Sequence, residues 1–265
     1  QGGAWGEQQL IPKEWVVEAT RKQTDSQEGD HDWSQGYGYQ FWINKTAGYR
    51  GDGAFGQYCM VLPEQDAVIA ITSESFDMQA SMDLVWKYLL PHLNEPQALP
   101  EVEEDQSELS NALADLALPL PQSSEQTYAL PGIFGVRFAS KGDTTAFSAV
   151  ELNSGETGLS LTFEKAGRDT TLAIGEGEWK LHEGLSTDHL GSGSDRTAVS
   201  SAFAVQGHWE SPGVLQIHLR YVETAHSDIW RLQFDGQQLR INFLHSVAAG
   251  RGVADARPEW EGIAS

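Results

Sequence analysis

The alternation of hydrophobic and polar residues predicts a helix and then antiparallel strands in the first third of the chain. Pro12 is followed by apolar residues at helical spacing, which predicts a short helix to about Lys22. Aromatic and polar residues then alternate from Tyr37 to Asn44, which is the period of a strand. Two more strands, Tyr58–Leu62 and Ala67–Thr72, are separated by a short turn and are therefore expected to pair antiparallel.

A second helix completes this part of the pattern. Asp77 is a typical N-cap residue, and Met82 and Val85 follow it at the spacing of one helical face. Pro91 is predicted to end the helix at about Leu90. The order helix, antiparallel strands, helix predicts an α+β fold in which the last helix packs on an antiparallel sheet.

The composition changes after residue 93. Residues 94–126 contain several prolines, an acidic run from Glu101 to Asp105, and no lysine or arginine. This composition predicts an acidic linker with a weakly amphipathic stretch from Glu108 to Leu116. We therefore predict three regions: an α+β region over 1–93, a linker over 94–126, and an all-β domain over 127–265.

From Tyr128 onward the pattern is almost wholly that of β-strands. Asp235-Gly236 separates two alternating runs and predicts a hairpin, while the Gly- and Ser-rich stretch Glu183–Arg196 predicts a long loop. Roughly eight to ten short strands follow from this spacing, which predicts an antiparallel β-barrel or sandwich. The clearest runs are 134–138, 159–163, 215–221, 230–234 and 239–243, and weaker ones surround Ala146, Leu172, Trp179 and Phe203.

Charge and cysteine content narrow the classes of function. The formal net charge of −21 argues against nucleic acid and anionic membranes as partners, because both attract basic surfaces. No apolar run approaches the ~18 residues of a membrane helix, so we expect no membrane span. We expect a soluble protein and favour the cytoplasm, although the sequence leaves the compartment undecided. The single cysteine, Cys59, lies in an apolar strand and is predicted to be a small buried side chain.

Candidate catalytic motifs are few. Gly51-x-Gly53-x-x-Gly56 matches the dinucleotide fingerprint, but that fingerprint requires a helix directly afterwards, and here a strand follows. No serine has glycine at both −2 and +2, and Ser-x-x-Lys does not occur. The histidines lack metal-ligand spacing, so we expect neither metal nor cofactor, and His218 is predicted to face solvent.

The segment Gly51–Ser73 resembles the third-motif region of the serine β-lactamases and penicillin-binding-protein-like hydrolases. In that family a Lys-Thr-Gly triplet or a variant opens a sheet-edge strand. A Gly-aromatic-Gly turn, a strand, a Pro-centred hairpin, another strand and a long C-terminal helix follow it. The matching positions here are the triplet Gly51–Gly53, the turn Ala54–Gly56, the hairpin Pro63–Asp66 and the helix Met78–Leu90.

Two upstream motifs resemble the esterase and amide-hydrolase branch of the same family. They read Gln9-Leu10-Ile11-Pro12-x-x-Trp15-Val16 and Tyr37-Gly38-Tyr39-x-x-Trp42. The resemblance covers residues 1–93, about a third of the chain. It implies that the α+β region is part of a β-lactamase-like fold.

The resemblance also implies roles for individual residues. The backbone N–H of Ala54 would be one of the two donors that stabilise an oxyanion, and Gly51, Asp52, Gly53 and Phe55 would border the substrate. The triplet carries no Lys or His here. The family's nucleophilic Ser-x-x-Lys and its Tyr motif lie upstream of this region, and this sequence contains neither.

These observations lead to two hypotheses. In the first, the chain is the C-terminal part of a serine hydrolase that cleaves a small ester or amide through an acyl-enzyme, and it is inactive alone. Its partner would be the missing N-terminal part or a second copy, because an uncovered apolar sheet associates readily. In the second, the β domain is a non-enzymatic ligand-binding or interaction module. A third possibility, that the β domain shields the cleft or sets the oligomeric state, stays open.

Overall fold

The computed structural model describes residues 1–46, 48–94, 101–121, 130–142, 147–184 and 202–265. The chain forms two compact units, Gln1–Asp115 and Leu116–Ser265, and the division lies inside the predicted linker. Tyr128, Ala146 and nearly all of the predicted loop Glu183–Arg196 lie outside the described residues.

The N-terminal unit contains short strands, a small antiparallel sheet and helices. Its strands are β1 (Ala4–Trp5), β2 (Gln8–Gln9), β3 (Trp42–Ile43), β4 (Tyr49–Gly53), β5 (Gln57–Leu62) and β6 (Ala67–Ile71). Its α-helices are α1 (Lys13–Thr20), α2 (Met78–Leu84), α3 (Leu90–Leu93) and α4 (Glu103–Ala114), with 3₁₀ turns at Asp32–Ser34 and Pro63–Gln65 and a π-helical turn at Val85–Leu89.

The four strands β3, β4, β5 and β6 form one sheet in that order, with every neighbouring pair antiparallel. This confirms the predicted antiparallel meander, but the strand predicted over Tyr37–Asn44 is largely wrong. Only Trp42 and Ile43 form it. Gln40 has a φ of 69°, outside the range of strands, and Gly38 lies against the carbonyl oxygens of Ala19 and Arg21. Contact with α1 therefore overrides the local alternation.

The helical stretch after the sheet begins as predicted and ends later. The side chain of Asp77 caps α2 by accepting a hydrogen bond from the Ala80 amide at 3.0 Å. Pro91 does not end the stretch, which continues through Leu93. The π-helical turn at Val85–Leu89 ends two residues before the proline. This wider turn accommodates a residue that lacks an N–H and would crowd a regular helix.

One face of the small sheet is covered and the other is open. Tyr58 and Met60 of β5 form a buried cluster with Met82 and Val85 from the helical stretch. Cys59 lies between Tyr58 and Met60 and therefore points to the opposite face, where it is exposed. The prediction of a buried cysteine is wrong for this reason.

The C-terminal unit is almost entirely β, as predicted. Ten strands are described in it, together with one helix, α5 (Ser246–Arg251). The strands are β7 (Arg137–Ser140), β8 (Ala149–Gly155), β9 (Gly158–Lys165), β10 (Arg168–Ile174), β11 (Lys180–Glu183), β12 (Ala202–Ser211), β13 (Val214–Tyr221), β14 (Ser227–Asp235), β15 (Gln238–His245) and β16 (Trp260–Ala264).

These ten described strands form one sheet that nearly closes into a barrel. Their order is β10-β9-β8-β7-β16-β15-β14-β13-β12-β11, with antiparallel neighbours and the predicted Asp235-Gly236 hairpin between β14 and β15. Gly175, directly after β10, closes the sheet on β12. Its amide donates to the Val205 carbonyl at 3.3 Å, and its carbonyl accepts from the Gly207 amide at 2.9 Å. Of the two predicted alternatives, a barrel and a sandwich, the structure is therefore a barrel-like sheet.

Large apolar side chains fill the interior of the barrel. The ring centroid of Phe147 lies 4.7 Å from that of Phe163 and 5.4 Å from that of Trp230, and Trp230 lies 5.6 Å from Phe243. Trp230, Phe147 and Phe163 are at most 1% exposed. An interior packed in this way stabilises the unit, and it counts against a ligand held inside the barrel.

An ion-pair network binds the segment before β16 to the end of the barrel. Arg257 donates from both terminal nitrogens to buried Asp228, at 2.6 and 2.7 Å, and also binds Asp255. The Tyr221 hydroxyl donates to Asp228 at 3.2 Å. Burial alone would lower the pKa of Arg257, but the hydrogen bonds to Asp255 and Asp228 raise it overall, so the guanidinium stays charged.

We expect the substitution Arg257→Met to reduce the free energy of unfolding of the barrel by about 3–5 kcal/mol, because it leaves the buried carboxylate of Asp228 without a cation to balance its charge. Arg231→Met is the matched control, since its pair with Glu210 is solvent-exposed and worth less than about 1 kcal/mol. Denaturant unfolding followed by tryptophan fluorescence measures both. Equal losses in the two variants would contradict the assigned role of Arg257.

Candidate functional site

The glycine-rich end of β4 is an open edge of the small sheet. β3 pairs with β4 only at Tyr49 and Arg50. Gly51–Gly53 pairs with β5 on one side, and within the described part of the chain no strand pairs with it on the other. An unpaired edge offers backbone N–H and C=O groups to an extended ligand. The structure thus places three of the predicted substrate-bordering residues, Gly51, Asp52 and Gly53, along one accessible strand.

A tight turn follows this edge and presents Ala54. The turn Ala54–Gly56 joins β4 to β5, with φ values of 68° at Phe55 and 83° at Gly56. Ala54 is exposed, and its amide donates a hydrogen bond to none of the described residues. A free amide at the end of an open strand is a donor available to a ligand oxygen.

Contacts with the segment after β6 hold the turn in place. The Ser73 hydroxyl lies 2.9 Å from the Phe55 carbonyl oxygen and 2.8 Å from that of Gly56, and donates to one of them at a time. The Ser75 amide donates to the Phe55 carbonyl at 2.8 Å. The Phe55 ring packs edge-on against Phe76, with centroids 5.4 Å apart. The left-handed backbone at Phe55 is therefore kept by its surroundings rather than by its own preference.

The side chain of Asp52 points to the covered face of the sheet. Its Oδ2 accepts from the indole nitrogen of Trp33 at 3.0 Å and from Nε of Arg50 at 3.2 Å. The side chains of Arg50 and Asp52 are 0% and 7% exposed. The Asp52 carboxylate thus anchors the strand, and only the backbone of Asp52 faces the open edge.

Arg50 joins this anchor to the neighbouring segments. Its guanidinium donates to Oδ1 of Asn44 at 2.9 Å and lies 5.1 Å from the centre of the Trp33 ring and 5.9 Å from that of Trp42. Burial lowers the pKa of Arg50, and the nearby carboxylates of Asp52 and Asp32 oppose this shift. The ring contacts also stabilise the buried cation.

Asp32 connects the loop before the sheet to the helical stretch. This fully buried carboxylate accepts from the Gln79 side chain at 2.9 Å, the Trp86 indole at 3.0 Å and the Lys45 amide at 2.8 Å. The three donors come from two distant parts of the chain, so Asp32 holds the loop against the helix.

Asp32, Trp33 and Arg50 support the site but are not among the residues predicted from the sequence. No motif marks them, because their partners are distant in sequence and meet only in the folded unit. The one local signal was an arginine within an otherwise apolar and glycine-rich stretch, since a buried charge needs partners.

We expect alanine substitutions at two glycines of the site to have different effects on the free energy of unfolding. A Cβ at Gly51 meets no atom within 4 Å, so Gly51→Ala should change the free energy of unfolding little. A Cβ at Gly56 would overlap the Ser73 hydroxyl at a φ of 83°, so Gly56→Ala should cost about 1–3 kcal/mol. Thermal unfolding and hydrogen exchange of the turn test this. A loss as large for Gly51→Ala as for Gly56→Ala would contradict the described turn.

A second cluster of titratable groups lies on the outer side of the barrel. The rings of His208 and His218 stack with centroids 5.4 Å apart. His218 is partly buried rather than solvent-facing, which corrects the prediction from its strand pattern. Its burial, with smaller contributions from His208 and Arg220, lowers its pKa to about 4.

The depressed pKa of His218 makes the stability of the barrel depend on pH. Between the unfolded value of 6.5 and the folded value of about 4, the unfolded chain binds more protons, so stability falls as the pH falls through this window. We expect His218→Gln to weaken that dependence relative to wild type, measured as the melting temperature from pH 7 to pH 4. An unchanged slope would contradict a buried neutral His218.

Within the described residues, no group of three or more His, Cys, Asp or Glu side chains is arranged to hold a metal ion. No described helix is long and apolar enough to cross a membrane. The sequence matches no model of a known protein family and no curated protein.

Proposed function

We propose that the N-terminal unit is the C-terminal part of a β-lactamase-like serine hydrolase domain that cleaves an ester or amide through an acyl-enzyme. The observation that carries the proposal is the combination of the open edge at Gly51–Gly53 with the free amide of Ala54. An extended substrate would pair with the strand edge, and its carbonyl oxygen would accept from Ala54. This is the arrangement implied by the resemblance of Gly51–Ser73 to the third-motif region.

The contribution of this chain would be positioning and charge stabilisation. When a serine hydroxyl adds to the substrate carbonyl, negative charge develops on the carbonyl oxygen, and an amide already aimed at that oxygen lowers the barrier. The Asp52–Arg50–Trp33 contacts would keep the strand rigid, which matters because a donor displaced by ~1 Å loses much of its effect.

The nucleophile and its base would come from a Ser-x-x-Lys motif outside this sequence. The serine would lose its proton to the base and form the acyl-enzyme, and the base would pass that proton to the departing alcohol or amine. Water would then release the acyl group as a carboxylic acid and regenerate the serine. The absence of Lys or His at Gly51–Gly53 favours esters and simple amides over substrates held by their carboxylate. The chain alone is therefore proposed to be inactive.

The exposed apolar face of the small sheet supports the proposal that this unit is part of a larger domain. Cys59 and Val68 are exposed on the face opposite the helical stretch, and Val68 is 67% exposed. A sheet that faces water normally carries polar side chains on its outer face. A complete hydrolase domain would cover this apolar surface.

The proposal is tested by reconstitution. The chain alone should not hydrolyse p-nitrophenyl acetate or nitrocefin, and hydrolysis should appear when a polypeptide encoded upstream of Gln1 is supplied with it. In the reconstituted enzyme, Ala54→Pro removes the amide donor and should lower kcat by about 10²–10³, whereas Ala54→Ser keeps the donor and should stay near wild type.

Two results would overturn the proposal. The first is an upstream coding sequence without Ser-x-x-Lys followed by Tyr-x-Asn or Tyr-x-Ser. The second is turnover by the isolated chain that disappears when one of its own serines is replaced. The alternative function, a ligand site within the barrel, gains no support from the packed interior around Phe147 and Trp230.

A further inference from the structure

The outer edge of the small sheet ends on an unprotected strand. β6 pairs with β5 on one side, and among the described residues no strand pairs with it on the other. Its sequence, Ala-Val-Ile-Ala-Ile, contains no charge, no proline and no glycine, and its pairing with β5 shows no bulge. Proteins normally prevent edge-to-edge pairing with charged side chains, prolines or bulges in the edge strand, and β6 has none of these. An uncharged aliphatic edge of this kind readily accepts another strand.

An apolar groove lies directly beside this edge. It has a volume of about 450 Å³ and is lined by Ile71 of β6 together with Ser81, Leu84, Val85, Tyr88 and Leu89 of the helical stretch. Leu84, Tyr88 and Leu89 are each about half exposed, at 57%, 55% and 48%. The groove therefore runs between the last strand and helical residues whose apolar side chains lack cover.

The groove and the edge together fit an added strand. Side chains of a strand alternate between the two faces of a sheet, so a strand added to β6 would direct every second residue toward the helical stretch. Aliphatic residues at those positions would fill the groove beneath Leu84 and Tyr88. The required partner is thus a short, uncharged strand with aliphatic side chains on both faces.

β6 itself has this chemistry. We propose that two copies of this chain associate through antiparallel pairing of their β6 strands, which makes the two small sheets one continuous sheet across a twofold axis. This inference extends beyond the proposed hydrolase function and does not depend on it. Identical strands can form such isologous contacts because every contact of residue i with residue j is repeated as a contact of residue j with residue i.

A register centred on Ile69 makes the contact self-complementary. Ile69 then lies opposite Ile69 of the second copy. On either side of it a larger side chain meets a small one, since Val68 lies opposite Ala70 of the second copy and Ala67 opposite Ile71 of the second copy. Asp66 lies opposite Thr72 of the second copy, so the two Asp66 carboxylates do not face each other. In a chain of net charge −21, an uncharged contact is where two copies repel each other least.

The same register brings the two helical stretches together. Both lie on the same face of the continuous sheet, each beside its own β6 edge. Leu84, Tyr88 and Leu89 would then pack against the same residues of the second copy, which removes the exposed apolar surface on both. The pairing therefore buries the strand edge and the groove in one interface.

The register also predicts the position of the single cysteine. Within each copy Cys59 pairs with Ala70 and Val61 pairs with Val68. Because Ala70 lies opposite Val68 of the second copy, Cys59 is level with Val61 of that copy. The two Cys59 residues therefore lie three strand spacings apart across the sheet and two residues apart along the strands. These spacings place their Cα atoms about 16 Å apart. Cys59 is exposed and is the only cysteine, so it can be labelled without further substitution.

Light scattering after size exclusion provides the first test, on the full chain. We expect a mass of twice 29.1 kDa that falls to the monomer value on dilution. Val68→Lys/Ala70→Lys sets lysines opposite lysines across the proposed pair and should raise the dissociation constant at least about tenfold. Val17→Lys/Leu10→Lys, two exposed apolar positions in the same unit, adds the same charge and should leave the dimer unchanged.

Dipolar coupling between nitroxides on Cys59 provides the second test, and it does not depend on whether the lysine variant folds. We expect a single short distance, consistent with about 16 Å between the Cα atoms plus the label linkers. A monomer throughout the concentration range would overturn the proposal. A dimer with a long Cys59 distance, or one that both lysine variants leave intact, would also overturn the β6 pairing.

Discussion

The N-terminal unit depends on one buried cation. Arg50 lies in the strand that carries the candidate site, and its charge is balanced by Asp52 and enclosed by the rings of Trp33 and Trp42. A buried charge is tolerated only with such partners, so the loop, the strand and the helical stretch must assemble together around it. Asp32 completes the assembly by binding the side chains of the helix. The position of the glycine-rich edge follows from this network.

The side chains and the backbone edge of β4 consequently serve different purposes. Its side chains at Arg50 and Asp52 are committed to the interior, whereas Gly51 and Gly53 leave the backbone accessible at the edge. A strand can serve both purposes because its side chains point to the faces of the sheet, whereas its backbone N–H and C=O groups point to the edge. The candidate oxyanion donor, Ala54, lies at the end of this strand in a turn that Ser73 stabilises. Rigidity on the covered face and accessibility at the edge suit the proposed role in acyl transfer.

The two units differ in how completely each covers its own apolar surface. The barrel-like sheet nearly closes at Gly175, its interior is filled with aromatic side chains, and Arg257 and Asp228 secure one end. The small sheet covers one face only and leaves both edges open among the described residues. Closure removes strand edges, while open sheets invite partners. Both the hydrolase proposal and the β6 pairing arise from this difference.

The sequence by itself determined the element types wherever local pattern and turn chemistry agree. The meander of β5 and β6, the Asp77 cap, the Asp235-Gly236 hairpin and a β-rich second half all follow from alternation and from residues that favour particular turns. Only the tertiary structure decided what depends on distant partners. Contact with α1 interrupts the strand predicted at Tyr37–Asn44, the closing bonds of Gly175 select a barrel, and the charges around Arg50 meet only after folding. Local pattern records the preference of a segment, but burial of charge and closure of a sheet are properties of the whole unit.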